Sequence, residues 1–580
     1  MSDAVYSINQ WRRHFVLIAF AVGILIMIWR AIDLQVVNNE VFQDKGDSVH
    51  LKVVAVPAHR GMIVDRNDKP MAISTPVNAI WAKPQQLLLA SPERLSELAN
   101  VLGIKSGKLL EELNKRADRE FMYLKRRSTP KIVEQIKKMN VPGVYLQREY
   151  KRYYPAGEVT SHVLGFTDVD DRGQEGLELA YDHWLSGKYG SKRVMQDRMG
   201  SVLADVKSIE EARSGGTLTL SLDKHIQYLA YRELKAAVEA HKAKSGSMVV
   251  LDAVTGEVLA MVNQPAFNPN ARSSISNGTF RNRVVTDLME PGSTVKPFLV
   301  AAALDTGRYV SNSLVNTSPG QMYVGRNRVS DIRDYGLIDI STVVQKSSNV
   351  GVAKLALDME KEYIWQKYVD LGFGSTTGAE FPGEQTGYVY DFHRWSRIDQ
   401  ATIAFGYGMS ASVLQLARAY TVFANHGQLL PVSMLRLDQA PTGEKVFNAQ
   451  TMQQVLQMME TVISNEGTAP QAKVPGYRVA GKTGTVKKTD VRSGGYTEDK
   501  YLSLFAGLVP VTNPRLIGVV MIDEPQGDDY YGGVVAAPVF SKVMAGALRL
   551  LDVKPDDVNS SRVDPNRMAL READAQVGAL

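Results

Sequence analysis

Residues 290–298 read Glu290-Pro291-Gly292-Ser293-Thr294-Val295-Lys296-Pro297-Phe298, and the chain continues through the apolar run VKPFLVAAAL. Pro-Gly closes the loop before it, and the apolar run has the character of a helix. Ser293 therefore falls at a helix N-terminus, with Lys296 one turn on along the same face. A serine hydroxyl becomes a nucleophile only with a base in hydrogen-bond reach. Lysine is such a base where burial or a neighbouring cation lowers its pKa. The helix N-terminus also favours a developing oxyanion. Alone the pair is unspecific, because Ser-x-x-Lys recurs at Ser128–Lys131 and Ser221–Lys224, where it reads as an ordinary helix start.

Two later triplets sharpen the reading. Ser347-Ser348-Asn349 sits inside VVQKSSNVGVA, between helix-like apolar runs. From a tight turn there, Ser347 could relay a proton and Asn349 could hold a peptide carbonyl; by itself the triplet reads as a helix-to-helix cap. Lys482-Thr483-Gly484-Thr485 precedes Val486. On an edge strand, Lys482 would bring positive charge to a cleft, and Gly484 would let a substrate strand approach closely. The hydroxyls of Thr483 and Thr485 could bind a carboxylate. Lys-[Ser/Thr]-Gly also occurs at Lys105 and Lys244, so this triplet too is unspecific alone.

The chain around them has 580 residues, no cysteine and a net charge of +5. That length allows roughly three or four domains. Absent cysteine excludes disulfides, thiolate metal sites, iron–sulfur clusters and a cysteine nucleophile. The mild positive balance is too weak to argue for nucleic acid. The nine histidines show no metal-ligand spacing, and no cofactor is expected.

Phe15–Trp29 (FVLIAFAVGILIMIW) follows Arg12 and Arg13, with apolar character continuing to Val37. No small-x-small site follows directly, so an uncleaved anchor over 15–37 is expected, with residues 1–14 in the cytoplasm and the rest outside. Residues 50–215 read as α+β modules. LKVVAV (51–56) is a strand, and His59-Arg60-Gly61-Met62-Ile63-Val64-Asp65-Arg66-Asn67 a strand and turn. Helical spacing marks 86–140, and TLTLSL (217–222) alternates as a strand. Asp223 stands where a helix N-cap belongs. SMVVLD and EVLAM read as a hairpin, 293–470 as mainly helical, and 501–511 and 515–522 as strands. That order implies one α/β domain over 216–552 whose sheet is completed late in the chain. A disordered tail is expected over 553–580.

Gly476–Thr483 also satisfies the GxxxxGK[ST] pattern, with a Walker B-like strand at Val519–Glu524. A P-loop must open a helix, but TVKKTDVRSGGYTED is glycine-broken and lacks an apolar face, which argues against an NTPase.

Ser293–Lys296, Ser347–Asn349 and Lys482–Gly484 stand in the order expected of serine acyltransferases that recognise penicillin. Longer blocks agree: Arg152-Tyr153-Tyr154-Pro155-Ala156-Gly157, Gly165-Phe166-Thr167-Asp168, Gly173–Glu178, Asp197-Arg198-Gly200, Phe405-Gly406-Tyr407-Gly408-Met409-Ser410, Tyr530–Gly533 and Ala537-Pro538-Val539-Phe540. On these the chain resembles a class B penicillin-binding protein, closely the septal, division-specific peptidoglycan D,D-transpeptidase of Gram-negative bacteria.

The resemblance implies a central antiparallel sheet flanked by helices, an all-helical subdomain, and a non-catalytic pedestal over 50–215 with Arg60 and Arg152 as structural residues. It implies Ser293 as nucleophile and Lys296 as base, with Ser347 and Lys482 protonating the leaving D-alanine and Asn349 holding the stem peptide. The amides of Ser293 and Thr485 would form the oxyanion hole. Thr483 and Thr485 would take the terminal carboxylate. Ser348, Gly484, Tyr407, Tyr531 and Glu290 complete the implied substrate site. Implied partners are peptidoglycan stem peptides, β-lactams, a membrane glycan polymerase with other division proteins, and the inner membrane, with catalysis in the periplasm. A β-lactamase is disfavoured, since the nearest match to its deacylating loop, Glu444–Asn448, comes far too late. A β-lactam sensor, a silent scaffold, a D,D-carboxypeptidase and an elongation or specialised paralogue are the alternatives.

Overall fold

The computed structural model describes residues 10–37, 51–56, 58–196, 202–272, 277–490, 495–527 and 529–557. Residues 1–9, the Asp197-Arg198-Gly200 block and 558–580 of the expected tail lie outside them.

The described chain forms two compact units. The first holds the Gln10–Ile32 helix, a π-helical turn at Asp33–Val37, and a three-stranded antiparallel sheet of Leu51–Val56, Gly190–Gln196 and Val202–Glu210. Trp11–Val37 is long and apolar enough to cross a membrane, and none of it is buried. Gly532–Leu550 passes the same test of length and composition, but more than half of it is buried. It is a core helix of the second unit.

The second unit joins Arg60–Ser186 to the chain from Gly216 onward. The seam between its two stretches is made of backbone and caps. Leu218–Thr219 runs parallel to Ile63–Val64, Arg66 N–H donates to the Leu222 carbonyl (2.9 Å), and Asn67 Nδ2 donates to Asp223 (2.8 Å). The strand expected over 217–222 is therefore only Leu218–Thr219; beyond it, Ser221 donates to the carbonyls of Val258 and Ser433.

Within Arg60–Ser186, helices at Pro92–Leu102, Ser106–Lys115 and Pro130–Met139 cover a sheet that includes Pro70–Ala82, Met122–Ser128 and Val144–Tyr153. The fully buried Glu178 sits between two guanidiniums. Arg60 Nε donates to Oε2 at 2.8 Å and Arg152 Nε to Oε1 at 2.7 Å, while Asp182 takes a second Arg60 nitrogen at 2.7 Å. A buried charge survives only when paired and hydrogen-bonded, so both arginines act here as structural residues.

From Gly216 the chain builds a five-stranded antiparallel sheet from β1 (Ser245–Asp252), β2 (Val258–Gln264), β3 (Ala480–Asp490), β4 (Gly495–Val509) and β5 (Leu516–Asp523), in the order β2-β1-β5-β4-β3. β1, β2 and β5 are buried at every residue. Each carries a continuous apolar run (Met248–Leu251, Val258–Val262 and Leu516–Ile522), the pattern of strands covered on both faces. Helix α1 (Lys224–Ala240), capped by the Asp223 carboxylate as expected, packs with α5 (Ala537–Leu550) against the sheet. A Cβ on Gly518 would lie 2.1 Å from Met544 of α5, so glycine permits that close approach.

Between β2 and β3 lies the mainly helical insert, with α2 (Lys296–Asp305), α3 (Ile340–Lys346) and α4 (Asn349–Asp358). It also carries four short two-stranded ribbons, which an all-helical subdomain would lack. Residues 553–557, assigned by sequence to the tail, are held: Tyr477 donates to the Val553 carbonyl, and Asp556 accepts from Arg478 N–H (2.8 Å) and Thr512 (2.9 Å).

Candidate active site

Helix α2 explains why a lysine ends up in the core. Lys296–Leu304 are buried on all sides, and apart from Lys296 the run is apolar. A helix apolar all round packs inside. Phe298 fixes α2, stacked on Phe423 (5.0 Å between ring centroids) and edge-on to Tyr420 (5.4 Å). The Lys296 side chain therefore goes in with the helix.

Just before α2, Gly292–Val295 form a 3₁₀ turn that presents the half-buried Ser293. Thr294 Oγ1 donates to the Pro291 carbonyl (2.6 Å), and the buried Tyr420 hydroxyl donates to the Thr294 carbonyl (2.8 Å). Gly292 has φ +56°, and a Cβ there would lie 2.4 Å from Val486 Cγ2. Both the left-handed backbone and the close contact with β3 demand glycine.

Among the described residues β3 pairs with β4 alone, and it is the sheet edge beside this turn. A Cβ on Gly484 would stand 3.0 Å from Thr294 Cγ2, so the strand runs against the Ser293 turn. Lys482 is wholly buried, and burial pushes its pKa down to about 7. Thr483 Oγ1 is 2.8 Å from Thr468 Oγ1, and Thr485 Oγ1 accepts from Gly532 N–H at 3.1 Å.

The third wall is the turn between α3 and α4. Lys296 Nζ contacts the Ser347 carbonyl (2.5 Å), Ser347 Oγ (3.1 Å) and Asn349 Oδ1 (2.7 Å). Burial lowers the Lys296 pKa well below the usual lysine range, and the nearby Lys482 charge lowers it further; Asp331 opposes both. Ser347 holds φ +60°, a rare conformation for a residue with a Cβ, and it turns the hydroxyl and carbonyl toward the lysine. Ser348 is fully buried and caps α4: its hydroxyl accepts from Gly351 N–H (2.9 Å) and donates to Asp331 Oδ2 (2.6 Å). That placement gives Ser348 a supporting role in the turn, where the resemblance had put it in contact with substrate.

At the mouth, Tyr407 packs edge-on to Tyr496 (5.6 Å), and Glu290 accepts from Gly408 N–H at 3.1 Å. Tyr531 is about half exposed and stacks on Tyr530, which stacks on Tyr501. The fold thus brings the Ser293 turn, Lys296, the Ser347–Asn349 turn and Lys482 together in one site.

Two rival readings meet this geometry. Lys482 and Thr483 lie inside β3, so the GxxxxGK[ST] run opens a strand and not the helix a P-loop needs. Glu444 is exposed in a two-residue strand and Asn448 precedes a helix, which is not the setting of a deacylating loop.

The sequence reading missed Asp331. Its carboxylate accepts from Asn349 N–H (2.5 Å), Val350 N–H (3.0 Å) and Ser348 Oγ, and so ties the α4 N-terminus. It lies in a polar ribbon loop with no motif to mark it. Tyr496, Tyr388 and Tyr420 were missed for the same reason: they join the site through folds of the insert and the β3–β4 hairpin.

Residues 246–545 match the family described as penicillin binding protein transpeptidase domain, and residues 55–220 match the penicillin-binding protein dimerisation domain. The chain belongs to the penicillin-binding protein transpeptidase family, class B. It is 40% identical over 573 residues to the peptidoglycan D,D-transpeptidase FtsI of Escherichia coli K12, covering 98% of this chain and 96% of that protein. It is 41% identical over 553 residues to the probable peptidoglycan D,D-transpeptidase PenA of Neisseria meningitidis serogroup A, covering 94% of each. Among solved structures, the apo transpeptidase domain of Burkholderia pseudomallei penicillin-binding protein 3 is 43% identical, with a TM-score of 0.54, over 58% of this chain and 97% of that one.

Proposed function

We propose that this chain is a serine-type peptidoglycan D,D-transpeptidase that cross-links stem peptides at the division septum and is acylated by β-lactams. One observation carries the reading: a wholly buried lysine, its pKa pushed well below the usual lysine range by burial and by the Lys482 charge, lies one turn after a serine on a glycine-dependent turn.

In this reading Ser293 Oγ attacks the carbonyl between the two terminal D-alanines, and its proton passes to Lys296. Backbone N–H groups of Ser293 and Thr485 receive the oxyanion. Thr483, Thr485 and the charge of Lys482 take the terminal carboxylate, as they would the carboxylate of a β-lactam. D-alanine leaves with a proton relayed through Ser347 and Lys482, and Asn349 holds the stem backbone. An amine from a second stem then attacks the ester, forms the amide bond and returns the proton to Ser293. The N-terminal helix would anchor the enzyme in the inner membrane with its catalytic domain in the periplasm. Residues 50–215 would dock on a glycan polymerase and other division proteins.

The purified full-length chain, given a stem peptide ending in D-Ala-D-Ala and an amine acceptor, is expected to release D-alanine in step with cross-linked dimer. D-alanine release with no dimer would reassign it as a carboxypeptidase. No release, together with no penicillin uptake, would reject the reading.

The protonation states predict a pH profile. Second-order acylation by penicillin reports the free enzyme. It should fall on the acid side as Lys296 gains its proton and ceases to be a base. It should fall again on the alkaline side, above about pH 7, as Lys482 loses the charge that meets the carboxylate. A rate still rising at about pH 9 would contradict Lys482 as the cation.

A further inference from the structure

Glu290 lies three residues before the nucleophile, half-buried at the cleft mouth, and three segments meet on it. Gly408 N–H donates to Oε1 at 3.1 Å, and the Tyr496 hydroxyl lies 3.1 Å from Oε2. Tyr496 sits near the tip of the β3–β4 hairpin. Tyr407, edge-on to Tyr496, belongs to the loop whose Gly406 packs against Gly292: a Cβ there would be 2.4 Å from the Gly292 carbonyl oxygen. Tyr388 comes from the strand Tyr388–Val389, paired opposite Ser410 of that same segment, and both Tyr388 and Tyr496 feel the Glu290 charge.

All of the acid's hydrogen-bond partners are neutral. Among the described residues no lysine or arginine pairs with it; Arg281 and Arg283, a few residues earlier, are both taken by Asp287. Burial raises the Glu290 pKa, with the Gly408 amide and the Tyr496 hydroxyl opposing. A carboxylate that is partly desolvated, lacks a counter-ion and is bordered by three phenol rings is suited to a small cation. Charge-assisted hydrogen bonds and cation–π attraction both strengthen as water is excluded.

We propose that Glu290, with the rings of Tyr407, Tyr496 and Tyr388, receives the acceptor substrate's primary amine in its ammonium form beside the Ser293 ester. The ammonium gives one proton to the Glu290 carboxylate; the free amine attacks the acyl carbonyl, the C–O bond to Ser293 breaks, and a second amine proton goes to Ser293 Oγ by way of Lys296. The inference rests on the transpeptidase reading above and deepens it by naming what binds the acceptor. It accounts for how an amine can outcompete the far more abundant water: only the amine gains from the acid and the rings.

The test uses the purified full-length chain, a thioester analogue of the acyl-D-alanine donor, and a stem peptide with a free side-chain amine. The readout is the partition of the acyl-enzyme between cross-linked product and hydrolysed donor as the acceptor is titrated. Partition is set after acylation, so it is read on the molecules that acylate. In Glu290→Gln the acceptor concentration giving half-maximal cross-linking should rise roughly tenfold or more. In Tyr496→Phe, which keeps the ring, it should rise about two- to threefold, and Glu290→Asp should recover part of the loss. In the wild-type enzyme, the same stem peptide with a trimethylated amine, which cannot attack, should inhibit cross-linking while hydrolysis continues; its acetylated, uncharged form should not. An unchanged half-maximal concentration in Glu290→Gln, or equal inhibition by the trimethylated and acetylated peptides, would overturn the proposal. A donor that never acylates the wild-type enzyme would instead reject the transpeptidase reading beneath it.

Discussion

Ser293→Ala is expected to take up no penicillin: covalent label that should approach one per wild-type molecule should fall below detection in the variant, on a gel of fluorescent penicillin at matched protein. The effect should be this complete because the substitution removes one oxygen and nothing else that shapes the site. The 3₁₀ turn is held by Thr294 on Pro291 and by Tyr420 on Thr294, and Gly292 supplies its left-handed entry. Ser293 is half-buried and carries none of these bonds, so thermal unfolding should shift by no more than about 1 kcal/mol. Label surviving in the variant would place the nucleophile elsewhere.

Lys296→Ala is the second large effect. Acylation by penicillin should slow by about 10²–10⁴, the range for losing a general base, while the protein still unfolds cooperatively near the wild-type temperature. Two opposing changes keep stability from collapsing. The variant loses the contacts from Nζ to Ser347 and Asn349, but it is also relieved of a buried amine whose charged form the site disfavours. The α4 turn keeps its independent support from Asp331. Stopped-flow acylation beside a calorimetric melt decides the matter. A wild-type rate in a folded variant would remove Lys296 from the role of base.

Much of this site was legible because its chemistry is written in short local runs. A serine and lysine one turn apart, a serine–asparagine turn and a lysine–glycine edge strand each report their own backbone, and their order narrows the family. The strands β1, β2 and β5 were legible for the same reason, since a strand buried on both faces carries a continuous apolar run; their few polar residues, such as Ser247 and Asn263, hydrogen-bond each other. What was not legible depends on contacts between distant segments. Asp331 is one acid in a polar loop until the fold sets it under the Ser348–Val350 backbone. Tyr496 is one aromatic in a glycine-broken stretch until the hairpin carries it to Glu290. Ser348 reads in the sequence as part of the substrate wall because it stands between Ser347 and Asn349, which meet Lys296; α4 needs a cap, and the Ser348 hydroxyl provides it. The seam between Leu218–Thr219 and Ile63–Val64 joins strands more than 150 residues apart, a pairing that periodicity along the chain does not encode.

Whether the Ser293 hydroxyl carries the acyl group is read by mass spectrometry of the full-length protein after reaction with penicillin, followed by proteolytic mapping. The predicted result is a single penicilloyl adduct on the peptide containing Ser293, absent from Ser293→Ala. An adduct on any other residue, or a wild-type protein with no adduct, would rule Ser293 out as the acylated residue.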